Sequence, residues 1–200
     1  MLDSPYVRRV AVAMISAGVA FEHKPISLFR HIEAFTELSP LLKAPSLITD
    51  DGVVLVESSV ILEYLASLSP AIAAMRPEGA RGFRLLGVAL TTMEKAVQFH
   101  YERALRGPGE QSESWRARVT RQLHVGLAAL DAEIPESDFR ARLNHMHIAV
   151  ACVGGFVAGV LGDAIRLADY PRLAAFAAKL ENLPAFNAAP AIDGVKAPAA

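Results

Sequence analysis

Strand signals are confined to the first part of this 200-residue chain, and this asymmetry constrains the fold more than any other feature. Two short apolar runs, residues 46–49 and 53–56, are separated by an Asp-Asp-Gly sequence that ends at Gly52. Because Asp-Gly tolerates the positive φ of a tight turn, these residues predict a β-hairpin. Residues 20–28 alternate roughly in polarity and contain Pro25, which is typical of a strand near the edge of a sheet.

Apolar residues spaced three and four apart predict helices in the rest of the chain. The first amphipathic helix begins near Val7 and ends at Gly18, because glycine commonly follows a helix C-terminus. Further helical patterns cover residues 31–38, 61–68, 83–101, 119–134, 148–161 and 173–183. The sequence therefore predicts an α/β domain over residues 1–70 and an all-helical domain over residues 77–200.

Composition and charge argue against several classes of protein. The formal net charge is -1 and the basic residues are spread along the chain, so nothing predicts a nucleic-acid-binding stripe. The longest uncharged apolar run, residues 148–161, is shorter than the about 20 residues that a membrane span needs. Residues 1–10 lack the apolar core of a secretory signal. The single cysteine, Cys152, excludes an intrachain disulfide and fits a reducing compartment such as the cytoplasm.

Ser4 and Pro5 stand at the start of the first predicted helix. Serine is a preferred N-cap and proline is favoured in the first helical turn. Unpaired N–H groups and the helix dipole meet at such a terminus and favour an anion, of which a bound thiolate is one example. Taken alone, the pattern is more typical of a simple helix cap than of a binding site.

Two more patterns flank the hairpin. A cis bond between Ala44 and Pro45 would turn the Ala44 backbone toward an extended ligand, although an X-Pro bond is ordinarily trans. Glu57, Ser58 and Ser59 come directly before a predicted helix, where free N–H groups and a serine hydroxyl can hold a carboxylate. Glu57 could meet an ammonium group beside them. Taken alone, this pattern also indicates a plain N-terminal cap.

The order of the three patterns resembles the N-terminal domain of bacterial glutathione S-transferases. The segments that carry the likeness are Ser-Pro-Tyr-Val-Arg-Arg-Val, Lys-Ala-Pro-Ser-Leu and Asp-Asp-Gly-Val-Val-Leu-Val-Glu-Ser-Ser-Val-Ile-Leu-Glu-Tyr-Leu. The likeness is close over residues 4–68, most specific over residues 44–65, and looser through the helical half. It implies a thioredoxin-like N-terminal domain plus an all-helical C-terminal domain, and a metal-free homodimer that conjugates glutathione to a small hydrophobic electrophile in detoxification.

The resemblance also implies roles for individual residues. Pro45 corresponds to the cis-proline of the family, with the Ala44 backbone pairing with the cysteinyl part of glutathione. Glu57 corresponds to the residue that faces the γ-glutamyl ammonium group, and Ser58 to the one that holds the γ-glutamyl carboxylate. Lys43 is placed near the glycyl carboxylate.

Ser4 occupies the position where serine-type members of the family stabilise the glutathione thiolate, and Tyr6 is the nearby alternative donor. Members with thiol-transfer chemistry generally carry a cysteine at that position, so conjugation is favoured over disulfide chemistry. Two alternatives stay open: a non-catalytic binding or regulatory protein of this fold, and a glutathione-dependent lyase, isomerase or dehalogenase. The sequence says least about the electrophile pocket. Four residues could line it or could equally form core and solvated face: Phe99, His100, Tyr101 and Arg103.

The sequence departs from the family pattern at two places. Only Met1, Leu2 and Asp3 precede the Ser-Pro segment, which leaves almost no room for the first strand of the family and predicts a truncated start or one strand fewer. His147 stands where the family has the aspartate of a capping box that begins here at Asn144, so a weaker cap is expected. His145 and His147 are two apart and do not face each other on a helix, which argues against a metal pair.

Overall fold

The computed structural model describes residues 1–107, 109–135 and 143–191. Within that part of the chain, tertiary contacts define two units: residues 1–76 together with 182–191, and residues 77–181. The helices are α1 Pro5–Ser16, α2 Ile32–Leu38, α3 Ser58–Leu68, α4 Pro70–Ala73, α5 Gly79–Ala104, α6 Glu113–Glu133, α7 His145–Val160, α8 Pro171–Glu181 and α9 Pro184–Ala188. The strands are β1 Ser46–Ile48 and β2 Val54–Val56.

The predicted hairpin is confirmed. Strands β1 and β2 pair antiparallel, with Ser46 opposite Val56. Gly52 adopts a φ of 83° in the connecting turn, and its N–H donates to the Thr49 carbonyl at 2.9 Å. The left-handed conformation is the one that glycine adopts without steric cost, which explains why the turn lies at this position.

The predicted strand over residues 20–28 is wrong. These residues form no strand, and the sheet in the described residues contains only β1 and β2. An extended segment becomes a strand only when a neighbouring strand supplies hydrogen-bond partners. No strand precedes α1 in the described residues.

Helix α1 begins at its cap and ends at a glycine, as the sequence indicates. The Ser4 side chain accepts from the Val7 N–H at 3.4 Å, and Gly18 follows the helix with a φ of 67°. The helix carries Arg8 and Arg9 at exposures of 1% and 2%, so both charges are buried with its apolar face. Buried charges require partners, and each of these two arginines donates a long-range hydrogen bond.

Arg8 joins α9 to α1 in the first unit. Its Nε donates to the carbonyl of Ala189 at 2.7 Å, and its guanidinium lies 5.2 Å from the centroid of the Phe186 ring. Residues 182–191 belong to the helical domain that the sequence predicts over residues 77–200. The contacts with Arg8 explain why they lie in the first unit instead.

In the second unit, α5 packs on α6 and α7, and α7 packs on α8. The uncharged run predicted as a buried helix forms α7, whose residues from Met146 to Gly154 are all buried. Helices α5 and α6 approach closely at Gly126, where a Cβ atom would overlap Thr92 Oγ1. None of the helices in the described residues combines the length and the apolarity that crossing a membrane requires.

The capping box of α7 forms with histidine in place of an acid. Asn144 Oδ1 accepts from the N–H groups of Met146 and His147 at 3.0 and 3.1 Å. His147 Nδ1 accepts in return from the Asn144 N–H at 3.3 Å. An imidazole nitrogen without a proton thus supplies the acceptor that a carboxylate would, while the weaker cap stays a prediction.

Candidate functional site

The N-terminus of α3 is organised by Glu57, the residue between β2 and this helix. Glu57 adopts a φ of 71°, which is uncommon for a residue with a side chain and costs backbone energy. Its carboxylate accepts from the N–H groups of Ser59 and Val60 at 3.0 and 3.3 Å. Ser58 Oγ donates to Glu57 Oε1 at 3.1 Å. A strained residue therefore holds a carboxylate and a hydroxyl side by side at a helix terminus.

The pKa of the Glu57 carboxyl lies below its ordinary value. Burial by itself raises this pKa, but the hydrogen bonds from Ser59, Ser58 and Val60 outweigh that effect. The positive charge of Arg9 lowers the pKa further. Glu57 is consequently ionised at neutral pH and can receive an ammonium group.

Arg9 is a member of this site that the sequence analysis missed. Its Nη1 donates to Ser58 Oγ at 2.9 Å and to Ser59 Oγ at 3.1 Å, which connects α1 to the N-terminus of α3. The available signal was its position: Arg9 is four residues from both Pro5 and Ala13, on the buried face of an amphipathic helix. A charged residue on the apolar face of a helix indicates that a buried hydrogen-bonding or charged group lies opposite it.

The segment ahead of β1 carries the other backbone feature named by the resemblance. The Ala44–Pro45 peptide bond is cis, and Pro45 is buried. Ser46 Oγ donates to the Lys43 carbonyl at 2.7 Å, which braces the same turn. Lys43 Nζ lies 5.6 Å from the centroid of the Tyr6 ring, a distance at which a cation is attracted to an aromatic face.

Ser4 lies at the N-terminus of α1 and is partly exposed. Its bond with the Val7 N–H uses an acceptor position of the hydroxyl. A hydroxyl group also carries one donor, so Ser4 can donate to an anion while it caps the helix. The cap and the anion-binding role therefore do not exclude each other.

The predicted site residues fall into three local groups. Glu57 and Ser58 form one hydrogen-bonded cluster with Arg9. Lys43 and Tyr6 are in contact with each other. Ser4 caps α1, about 7.5 Å along the helix axis from Arg9 at 1.5 Å per residue.

The residues that could line an electrophile pocket lie in the second unit, where they have structural partners. The Arg103 guanidinium stands 5.3 Å from the centroid of the Phe99 ring and pairs with Asp163 at 2.6 Å. The His100 ring centroid is 6.1 Å from that of Phe156. Within the described residues, no group of three or more potential metal ligands comes together.

Comparison with known proteins relates this chain to the glutathione S-transferases. Residues 1–73 match the family model described as the N-terminal domain of glutathione S-transferase. A glutathione transferase family member from Pseudomonas fluorescens, solved with bound glutathione, is 29% identical and has a TM-score of 0.79, covering 94% of this chain and 95% of that one. A glutathione S-transferase from Methylobacterium radiotolerans, solved with glutathione sulfonate, is 26% identical with a TM-score of 0.76 and covers 92% and 89%.

Two relatives compared by sequence agree with the structural neighbours. The GST-like protein YibF of Escherichia coli is 26% identical over 158 residues, which cover 77% of this chain and 78% of YibF. The maleylacetoacetate isomerase of Pseudomonas aeruginosa is 29% identical over 131 residues, or 62% of each chain. Residues 1–73 thus match the glutathione S-transferase N-terminal domain, and with its thioredoxin-like N-terminal part and its helical second part the chain is similar to bacterial glutathione S-transferases.

Proposed function

We propose that this protein binds glutathione at the N-terminus of α3 and transfers the glutathione thiolate to a small hydrophobic electrophile. The observation that carries the proposal is the pairing of ionised Glu57 with the Ser58 hydroxyl. The γ-glutamyl end of glutathione is a zwitterion, so it needs an anionic partner for its ammonium group and a donor for its carboxylate. The glutathione bound in the 29% identical Pseudomonas fluorescens protein supports the same ligand here.

The segments around Pro45 and Ser4 contact the remaining parts of glutathione in this proposal. Its cysteinyl part pairs with the Ala44 backbone ahead of Pro45, and its glycyl carboxylate is attracted to Lys43. Its sulfur lies near the N-terminus of α1, where Ser4 donates to the thiolate and Tyr6 is the alternative donor. With Ser4 as the donor, this proposed orientation corresponds to that of the serine-type members of the family.

The proposed chemistry rests on thiolate stabilisation. A free thiol has a pKa near 8.5, so only a few per cent of it is ionised at neutral pH. A hydroxyl donor and a helix N-terminus both stabilise the anion and lower that pKa. The sulfur lone pair then forms a C–S bond with an electrophilic carbon, while the thiol proton goes to solvent and any leaving group departs with its electron pair.

A glutathione-dependent isomerase is the second candidate. The relative named maleylacetoacetate isomerase, 29% identical over 131 residues, favours this alternative. In an isomerase the thiolate adds to the substrate, a bond rotates and the thiolate leaves again, so glutathione is regenerated. Measuring the free thiol during turnover distinguishes the two candidates, because conjugation consumes glutathione and isomerisation does not.

Isothermal titration calorimetry with glutathione tests the proposal. The unmutated chain should bind with micromolar to millimolar affinity, and Ser58→Ala should abolish or strongly weaken binding. Ser67→Ala is the matched control, because Ser67 lies at the other end of α3 and its hydroxyl donates only to the Tyr64 carbonyl among the bonds described. No binding by the unmutated chain would contradict the proposal and favour the non-catalytic alternative.

The thiolate donor is tested with the electrophile 1-chloro-2,4-dinitrobenzene. If Ser4 is the donor, Ser4→Ala lowers kcat and raises the pKa of bound glutathione, whereas Tyr6→Phe leaves both values nearly unchanged. The reverse pattern would assign the role to Tyr6. Absence of turnover despite glutathione binding would support a binding or regulatory protein.

We also propose a cytoplasmic homodimer. Two-fold pairs are the commonest assemblies of soluble proteins, and the family resemblance implies the same state. Size-exclusion chromatography with light scattering tests this directly, since the monomer mass is 21.4 kDa. A monomeric mass at micromolar concentration would contradict it.

A further inference from the structure

Arg9 imposes a direction on the hydrogen bonds of the glutathione site. A guanidinium group carries only donors, so Ser58 Oγ and Ser59 Oγ must both act as acceptors toward Arg9. The Ser58 hydroxyl hydrogen is therefore turned away from Arg9. In the structure that hydrogen is donated to Glu57 Oε1 at 3.1 Å. Arg9 thus restricts the Ser58 hydrogen to acceptors on the side away from Arg9, which are Glu57 Oε1 in this structure and a ligand carboxylate oxygen once the hydroxyl turns toward it.

Arg9 also sets the charge of the site. The side chain of Arg9 is 2% exposed, so solvent screens its charge poorly. Without Arg9, Glu57 would leave the terminus of α3 with a negative charge that repels a ligand carboxylate. With Arg9, a positive charge acts on the carboxylate of Glu57 from nearby. Opposite charges that are close together suit a zwitterionic ligand end.

We propose that Arg9 is a positioning residue that makes this site selective for ligands with a free α-carboxylate beside their ammonium group. It acts by holding Ser58 as a donor and by compensating the charge of Glu57. The inference rests on the proposed function, because it concerns the γ-glutamyl end of glutathione. The inference adds Arg9 as the residue that makes the γ-glutamyl end of glutathione bind more tightly than an amine without a carboxylate.

The test compares two ligands rather than one. Glutathione is titrated alongside γ-aminobutyryl-cysteinylglycine, which lacks only the α-carboxylate of the γ-glutamyl residue. The unmutated chain should bind glutathione at least tenfold more tightly than this analogue. Arg9→Gln should weaken glutathione binding roughly tenfold to a hundredfold, the usual effect of losing a charged hydrogen-bonding partner. Because the analogue has no carboxylate to lose, its affinity should change much less, and the ratio should fall about tenfold.

Three variants separate selectivity from folding. Arg9→Lys keeps the charge without the planar fork and should retain part of the selectivity. Arg8→Gln is the matched control, since Arg8 is also buried on α1 but contacts Ala189 and Phe186. Arg8→Gln should destabilise the fold and leave the ratio of the two affinities unchanged. Circular dichroism establishes which variants are folded before the titrations. If Arg9→Gln does not fold, the comparison of the two ligands is made with Arg9→Lys alone.

The outcomes distinguish this inference from the function on which it rests. An affinity ratio that falls in Arg9→Gln, and to a smaller extent in Arg9→Lys, supports the inference. Glutathione binding with an unchanged ratio in both variants would overturn the inference and leave the proposed function intact, since a purely structural role weakens both ligands equally. No glutathione binding by the unmutated chain would overturn the proposed function and the inference together.

Discussion

Replacing Arg8 with glutamine should loosen the attachment of α9 to α1. The Arg8 Nε donates to the Ala189 carbonyl at 2.7 Å, and Ala189 is buried, so the substitution leaves a buried acceptor without its donor. A hydrogen bond to a charged group contributes about 1.5–3 kcal/mol. The guanidinium also lies 5.2 Å from the centroid of the buried Phe186 ring, and a cation–π contact contributes about 0.5–2 kcal/mol. Since the two contacts share one group, their losses do not add fully, and a destabilisation of about 2–4 kcal/mol is expected.

The loss is measured as the change in the free energy of unfolding in urea, read by circular dichroism. Amide hydrogen exchange over residues 182–191 provides the local readout. If α9 detaches, these amides should exchange faster in Arg8→Gln than in the unmutated chain, whereas the amides in the core of α1 should change less. Arg118→Gln is the matched control: it removes an exposed arginine on α6 and should change stability by less than about 0.5 kcal/mol. A loss below about 0.5 kcal/mol for Arg8→Gln, with unchanged exchange over residues 182–191, would refute the reasoning.

Three other predictions follow from local geometry. Asn144→Ala removes the acceptor for two N–H groups of α7 and should lower the free energy of unfolding by about 1 kcal/mol in urea titration; an unchanged value would show that the cap is dispensable. Gly126→Ala forces a Cβ into Thr92 Oγ1 and should cost about 1–3 kcal/mol, whereas Gly87→Ala, with open space around it, should be neutral or slightly stabilising; equal melting temperatures for the two variants would contradict this. Because the pKa of Glu57 is lowered, its carboxylate stays ionised until the pH falls through a value below the ordinary pKa of about 4.3. Calorimetry with S-methylglutathione, which has no thiol to ionise, should therefore find constant affinity between about pH 5 and 7; a midpoint inside that range would contradict the lowered pKa.

Local signals in the sequence predicted most of the secondary structure. The hairpin depends on a glycine that can adopt positive φ between two apolar runs, and helices α1 and α5 to α8 depend on apolar periodicity; all of these are short-range properties. The strand predicted over residues 20–28 is wrong because strand formation depends on a partner that local polarity does not reveal. The prediction of a weaker cap at α7 rests only on the identity of residue 147, a histidine. Whether His147 Nδ1 can accept a hydrogen bond depends on the tautomer of the ring, which its surroundings determine.

Short motifs in the sequence were enough to predict part of the candidate site. Ser4, Pro45, Glu57 and Ser58 stand at positions that a linear motif can specify, since each begins or precedes a helix or strand. Arg9 was missed because a helical pattern shows which face is buried but not which polar group meets it there.

The sequence by itself determined which segments form the longer helices and the hairpin, which family the chain resembles, and which short motifs could bind glutathione. Those properties depend on residues within a few positions of each other, so they can be read along the chain. Only the tertiary structure decided that residues 182–191 pack on α1 through Arg8, and that Arg9 joins α1 to the terminus of α3. Both contacts join residues 49 to 181 positions apart, and no local propensity encodes a hydrogen bond between such distant groups.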